Sequence, residues 1–185
     1  MHYYCSNMNF KIFIAYTILF FAVTSCTDQQ KDNQAVTDSQ QHTDVDSNAA
    51  AAMTLLPSFS IQDVGGNIIN LENFKGKKLF VNLWASWCPP CKREMPSIEK
   101  LYRSLDTAKV KFLLVSLDDQ FEMAKKYVSS QKLKLPIYYP AERLPLLFQV
   151  QGIPATFIFD ETGQLIKRVD GGENYDTKEY KSMLH

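Results

Sequence analysis

Cys88 and Cys91 are separated only by two prolines and preceded by a tryptophan, in the run Trp87-Cys88-Pro89-Pro90-Cys91. The run follows an apolar, strand-like stretch and opens a helical pattern. A thiolate at a helix N-terminus faces the positive end of the helix dipole and unpaired backbone N–H groups. Its pKa falls from about 8.5 into a range of roughly 3.5–7.5. The second thiol can then resolve a mixed disulfide formed by the first. Spacing and placement therefore predict reversible dithiol–disulfide exchange. Two other uses compete. A purely structural bridge here would close a very short loop and constrain the unfolded chain little. A zinc knuckle needs four ligands, yet beyond residue 52 there is no third cysteine and the only histidine is His185. No metal and no separate cofactor are expected; the Cys88–Cys91 pair is itself the redox group.

The other two of the four cysteines belong to the N-terminal region. Lys11 is followed by twelve largely apolar residues, 12–23. That is short of the roughly 20 needed to span a bilayer and suits the apolar segment of an export signal. The segment ends in Val23-Thr24-Ser25-Cys26, which resembles a bacterial lipoprotein signal in which Cys26 is lipidated and becomes the mature N-terminus. An ordinary cleaved signal or a short anchor is the alternative, and Met8 could serve as the start. On the lipoprotein reading Cys5 is removed with the signal and Cys26 is a thioether. Cys88 and Cys91 are then the remaining free thiols, able to pair with each other or with another molecule.

The elements around the cysteine pair follow from periodicity. Residues 1–26 form the signal, residues 27–52 a tether and residues 53–185 one folded domain. The tether carries five Asp against one Lys and no aromatic residue, too little apolar surface to offset its ordering entropy. Within the domain, 59–63 and 67–71 flank Gly65-Gly66 as a β-hairpin. The run 79–84 reads as a strand buried on both faces. Cys91, Met95, Ile98, Leu101, Tyr102 and Leu105 fall at helical spacing. Pro90 is tolerated in the first turn of that helix, and Pro96 should kink it. A second buried strand is expected over 111–117. Asp118-Asp119 should cap a helix over 121–131, and a short helix should follow over 144–150. A second hairpin over 156–160 and 164–169 and a terminal helix over 175–184 complete an α/β layered domain with a mixed sheet. The net charge is zero, so nothing suggests nucleic acid as a partner.

Four stretches together resemble the thioredoxin superfamily, and within it the TlpA/ResA-like branch of extracytoplasmic thiol-disulfide proteins. They are the strand and loop over 79–91, the Cys91-Lys92-Arg93-Glu94 extension, the segment Gly152-Ile153-Pro154-Ala155-Thr156-Phe157-Ile158, and the N-terminal hairpin ending in Phe74-Lys75-Gly76-Lys77. The resemblance covers nearly all of residues 55–185. It implies a thioredoxin-like three-layer fold, with a mixed central sheet and an N-terminal β-hairpin extension. It implies that Cys88 is the exposed attacking thiol and Cys91 the buried resolving one. It also implies a cis bond before Pro154, which would face the cysteines while the Ile153 backbone holds an extended substrate. Trp87, Pro89 and Pro90 would shape the surface around the pair, with Trp84 as a core residue. One position departs from thioredoxin, which has a buried Asp beneath its cysteines where this chain has Asn82. Glu94, on the same helical face as Cys91, is the expected replacement and would take the proton from Cys91.

The resemblance further implies a membrane-anchored protein of the bacterial cell envelope that reduces disulfides of exported proteins. It would be recharged by a membrane electron donor of the CcdA or DsbD type, with apocytochrome c as one client. A peroxidase of the peroxiredoxin type would carry Thr three residues before its reactive Cys, where this chain has Ala85. A redox-inert or metal-delivering binding module on the same fold is the alternative from a different class. Against metal delivery stands the lack of any histidine in residues 53–185 other than the terminal His185. Against an inert module stand the two intact cysteines, Glu94 and Pro154.

Overall fold

The computed structural model describes residues 54–185. The expected signal segment, Cys26 and the expected tether lie outside the described residues. Seven strands form one sheet: β1 (Ser60–Gln62), β2 (Ile68–Asn70), β3 (Lys78–Trp84), β4 (Val110–Ser116), β5 (Ile137–Pro140), β6 (Ala155–Phe159) and β7 (Leu165–Asp170). Their order is β2-β1-β5-β4-β3-β6-β7. The central pairs β3/β4 and β4/β5 are parallel, whereas the β1/β2, β1/β5, β3/β6 and β6/β7 pairs are antiparallel. Three helices accompany them: α1 (Pro89–Ser104), α2 (Phe121–Ser130) and α3 (Lys178–Leu184).

Alternation along β3 divides the core. Phe80 and Trp84 point to the face covered by the helices, with Met95, Ile98 and Leu101 of α1, Ala124 of α2 and Leu184 of α3. Leu79, Val81 and Leu83 point to the other face, against Leu71, Leu147 and Phe148. That second layer is thin, built from 3-10 turns at Leu71–Phe74 and Leu146–Phe148. Asn82 shares the parity of Phe80 and Trp84, so strand geometry alone directs it beneath α1. Thr156 stands opposite it on β6.

Several elements differ from the sequence expectation for local reasons. Strand β5 escapes the periodicity because it is short and bounded by Pro136 and Pro140. It nonetheless joins the N-terminal hairpin to the central sheet, pairing with both β1 and β4. The segment 144–150 makes only one 3-10 turn, opened by Pro145, which drives Leu147 and Phe148 into the core. The terminal helix begins at Lys178 behind an N-cap at Thr177. Tyr175 lies before it, fully buried against Phe80 and Tyr180. Pro96 lies inside α1, where the helical spacing places it. Gln120, without a side-chain cap bond, opens α2; the Asp118 carboxylate turns instead toward Ser86 and Ser116.

The β6–β7 turn shows how tightly the turns are fitted. Asp160 Oδ1 accepts from the Thr162 and Gln164 N–H groups, and Gly163 adopts φ +86°. A Cβ there would lie 3.3 Å from Leu56 Cβ, and the Gly163 carbonyl accepts from Leu56 N–H at 2.7 Å. Gly163→Ala should therefore destabilise the fold by about 1–2 kcal/mol, read as a lowered urea midpoint with an unchanged m-value.

Candidate active site

The strand β3 ends at Trp84, and a tight turn closed by Cys88 N–H to the Ala85 carbonyl (3.1 Å) leads into α1. Cys88 is the N-cap of that helix. Its sulfur accepts from Cys91 N–H at 3.3 Å, which satisfies one of the donors left open at a helix start. Pro89 and Pro90 occupy the first two helical positions, where a missing N–H costs nothing. The two cysteines are joined as a disulfide with an S–S distance of 2.07 Å.

Across from the disulfide, the Ile153–Pro154 peptide bond is cis. The Ile153 carbonyl oxygen lies 3.7 Å from Cys88 Sγ. The structure thus brings Cys88, Cys91, Ile153 and Pro154 together. It corrects the expectation that Cys88 is exposed: its relative exposure is 3%, against 0% for Cys91. As an N-cap its sulfur turns inward toward Cys91 and Ile153. Trp87, at 57%, carries the exposed rim, and Trp84 is fully buried against Tyr127. A groove of about 310 Å³ runs past the cis bond, lined by Gly152, Ile153, Pro154, Arg168, Asp170 and Gly171.

Glu94 falls on the buried stripe of α1 with Cys91, Met95 and Ile98. Its Oε1 accepts from Asn82 Nδ2 at 2.8 Å, and its Oε2 accepts from Glu173 N–H at 3.3 Å. Burial pushes its carboxyl up from 4.5 to about 7, against the lowering effect of those two donors. A carboxyl poised there can exchange a proton near neutrality, as a general base requires. A cleft of about 350 Å³ lined by Pro90, Arg93, Glu94, Gly172, Glu173 and Asn174 gives it an opening toward solvent.

A polar layer lies below Glu94 and is only partly legible in the sequence. Asn82 Nδ2 also donates to Thr156 Oγ1 at 2.9 Å, and Tyr175 O–H donates to the same oxygen at 2.7 Å. Asn82 was visible as a polar residue inside an apolar strand. Thr156 and Tyr175 carried no such signal, since each looks like an ordinary strand or helix residue. Among the described residues no group of three His, Cys, Asp or Glu side chains could hold a metal ion, and no helix is long and apolar enough to cross a membrane.

Comparison with known proteins agrees with this geometry. The AhpC/TSA family profile matches residues 53–168. The thiol-disulfide oxidoreductase ResA of Bacillus thuringiensis subsp. konkukian is 30% identical over 124 residues, covering 66% of this chain and 72% of that protein. ResA of Bacillus subtilis is 29% identical over 130 residues, covering 70% of this chain and 69% of its own. Among solved structures, StoA from Bacillus subtilis superposes with a TM-score of 0.59 at 26% identity, over 71% of this chain and 99% of that one. The thioredoxin domain of a thiol-disulfide oxidoreductase from Bacteroides vulgatus gives 0.63 at 21% identity, over 71% of this chain and 96% of that one, a likeness of fold. With a redox-competent cysteine pair at a helix start, a cis-proline against it and these relatives, the chain belongs to the AhpC/TSA family, among its thioredoxin-like, ResA-like thiol-disulfide oxidoreductases.

Proposed function

We propose that the protein works as a reductant in the bacterial cell envelope, cleaving disulfides of exported proteins, with apocytochrome c as one client. The observation that carries this reading is the Cys88–Cys91 pair at the start of α1, set against the Ile153 carbonyl with a buried carboxyl on the same helix. In the reduced state the Cys88 thiolate attacks one sulfur of a client disulfide. A mixed disulfide forms and the client's other sulfur leaves as a thiolate. Glu94 takes the Cys91 proton, and the Cys91 thiolate attacks Cys88 Sγ. The second client thiol departs, so the client gains two electrons and Cys88–Cys91 is oxidised. A membrane dithiol carrier of the CcdA or DsbD type then reduces the pair again. Ile153 and Pro154 would align the client strand, with Trp87, Pro89 and Pro90 forming the surrounding contact surface.

Lipidation at Cys26 would hold the domain at the membrane on the 27–52 tether. Metabolic labelling with an alkyne fatty acid should mark the wild type and not Cys26→Ala; equal labelling of both would remove the anchor from this reading. The peroxidase alternative lacks its hydroxyl, because Ala85 fills the position and is buried. The direction of electron flow is tested by the reduction potential of the pair, by alkylation and mass spectrometry in defined redox buffers. A value near about −250 mV or lower fits a reductant, by comparison with about −270 mV for thioredoxin. A value near about −120 mV would make the protein an oxidant and reverse the assignment.

A further inference from the structure

We infer that Asp118 is a positioning residue for Cys88, whose buried, unpaired charge lowers the thiolate fraction and biases the cysteine pair toward the disulfide. Asp118 follows β4 and is 2% exposed. Both of its oxygens accept from Ser86 N–H, at 3.1 and 3.0 Å. Ser86 Oγ donates to Oδ1 at 2.6 Å and Ser116 Oγ to Oδ2 at 2.7 Å. All of these contacts come from the backbone and hydroxyl groups of Ser86 and Ser116. Among the described residues no Lys, Arg or His pairs with it. Its backbone is fixed as well, since Tyr139 O–H donates to the Asp118 and Asp119 carbonyls, both at 3.1 Å, and Leu117 N–H bonds the Trp84 carbonyl at 2.7 Å.

Two consequences reach the sulfur. Consecutive Cα atoms are about 3.8 Å apart, so Ser86 Cα stands within about 7.6 Å of Cys88 Cα, and the turn from Ala85 to Cys88 draws them closer. Fixing Ser86 therefore fixes the start of the loop that presents Cys88. The negative charge also acts on the nucleophile through a protein interior that screens it little. A nearby like charge disfavours the thiolate. Destabilising the reduced form lowers the potential, the reverse of the strong oxidants whose reduced form is stabilised. Other groups bear on the same pair. The α1 N-terminus favours the thiolate, Glu94 opposes it when ionised, and Lys92, Arg93 and Asp119 lie at the surface. Asp118 differs from all of these in being buried and tied directly to the loop. The inference needs only thiol exchange at Cys88–Cys91, whichever way electrons flow in the cell.

Asp118→Asn is nearly isosteric and can still accept from Ser86 while donating to Ser116. Asp118→Ser is a smaller neutral alternative should the first fold poorly. The reduction potential against glutathione and the Cys88 pKa, from the pH dependence of iodoacetamide alkylation, are measured on each folded variant. The dithiol–disulfide equilibrium should move roughly three- to tenfold toward the dithiol, up to about 30 mV for a two-electron couple, with a lowered Cys88 pKa. Ser86→Ala keeps the charge and the backbone contact, and should leave both quantities within about twofold of wild type. Neutral variants that lose thermal stability while potential and pKa stay unchanged would overturn the inference and leave Asp118 a structural tie. A shift toward the disulfide would overturn it equally.

Discussion

Cys91→Ser is expected to halt turnover at the mixed disulfide. Cys88 keeps its place as N-cap of α1 and its position 3.7 Å from the Ile153 carbonyl, so the first attack on a client disulfide proceeds. The second does not, because a serine hydroxyl is a poor nucleophile toward sulfur and has no disulfide to form. Multiple-turnover reduction of a disulfide substrate should fall by at least about 10³-fold, the scale on which removal of one member of a concerted catalytic group is felt. A covalent complex with the client should accumulate on non-reducing gels and vanish with dithiothreitol. Cys88→Ser should lose turnover as severely and trap nothing. Equal trapping by both variants would show that the two thiols are interchangeable, and absence of trapping by Cys91→Ser would remove the exchange mechanism. Fold stability should change little, since a bridge across two intervening residues removes little chain entropy.

Cys88 and Cys91 are legible from residue type and spacing alone, two thiols at the start of a helix. Pro154 and Glu94 become legible only through the resemblance to the thioredoxin superfamily, and the structure brings both close to the cysteine pair. The strands β3 and β4 were equally plain, because burial on both faces leaves an uninterrupted apolar run. What escaped was set by tertiary pairing. Strand β5 holds only four residues, and its place between β1 and β4 follows from partners far away in sequence. Tyr175 has the spacing of a helix residue, yet it sits before α3 because its hydroxyl reaches Thr156 and its ring fills the space beside Phe80. Asp118 reads as a helix cap by type and position. The donors of Ser86, across the sheet end, compete more effectively for its carboxylate. The inward turn of Cys88 likewise depends on the Ile153 loop, which sequence separation hides.

Glu94→Gln should abolish a pH dependence expected of the wild type in both stability and rate. In the folded protein burial holds the Glu94 carboxyl up at about 7, from an ordinary value of 4.5. In the unfolded chain it ionises near the ordinary value. Between these two pH values the folded state therefore binds more protons than the unfolded state, so stability declines as pH rises through the window and levels off above about pH 7. The full loss is at most roughly 3–4 kcal/mol, since the shift from 4.5 to about 7 spans about 2.5 pKa units and one unit corresponds to about 1.4 kcal/mol. Glutamine cannot ionise, so this part of the decline disappears. Its carbonyl can accept from Asn82, but its amide group meets the Glu173 N–H donor where the second carboxylate oxygen stood. The gain in stability at pH 8 is correspondingly smaller than the wild-type penalty. The rate responds in the opposite sense: without a base for the Cys91 proton, resolution of the mixed disulfide should slow roughly 10²-fold at pH 7 and lose its inflection near that pH. Urea unfolding and single-turnover kinetics from pH 4 to 9 read both effects. A variant that kept the inflection near pH 7 would assign that titration to the thiols and remove Glu94 from the proton transfer. A variant that lost it without slowing would leave Glu94 a buried group with no part in resolution.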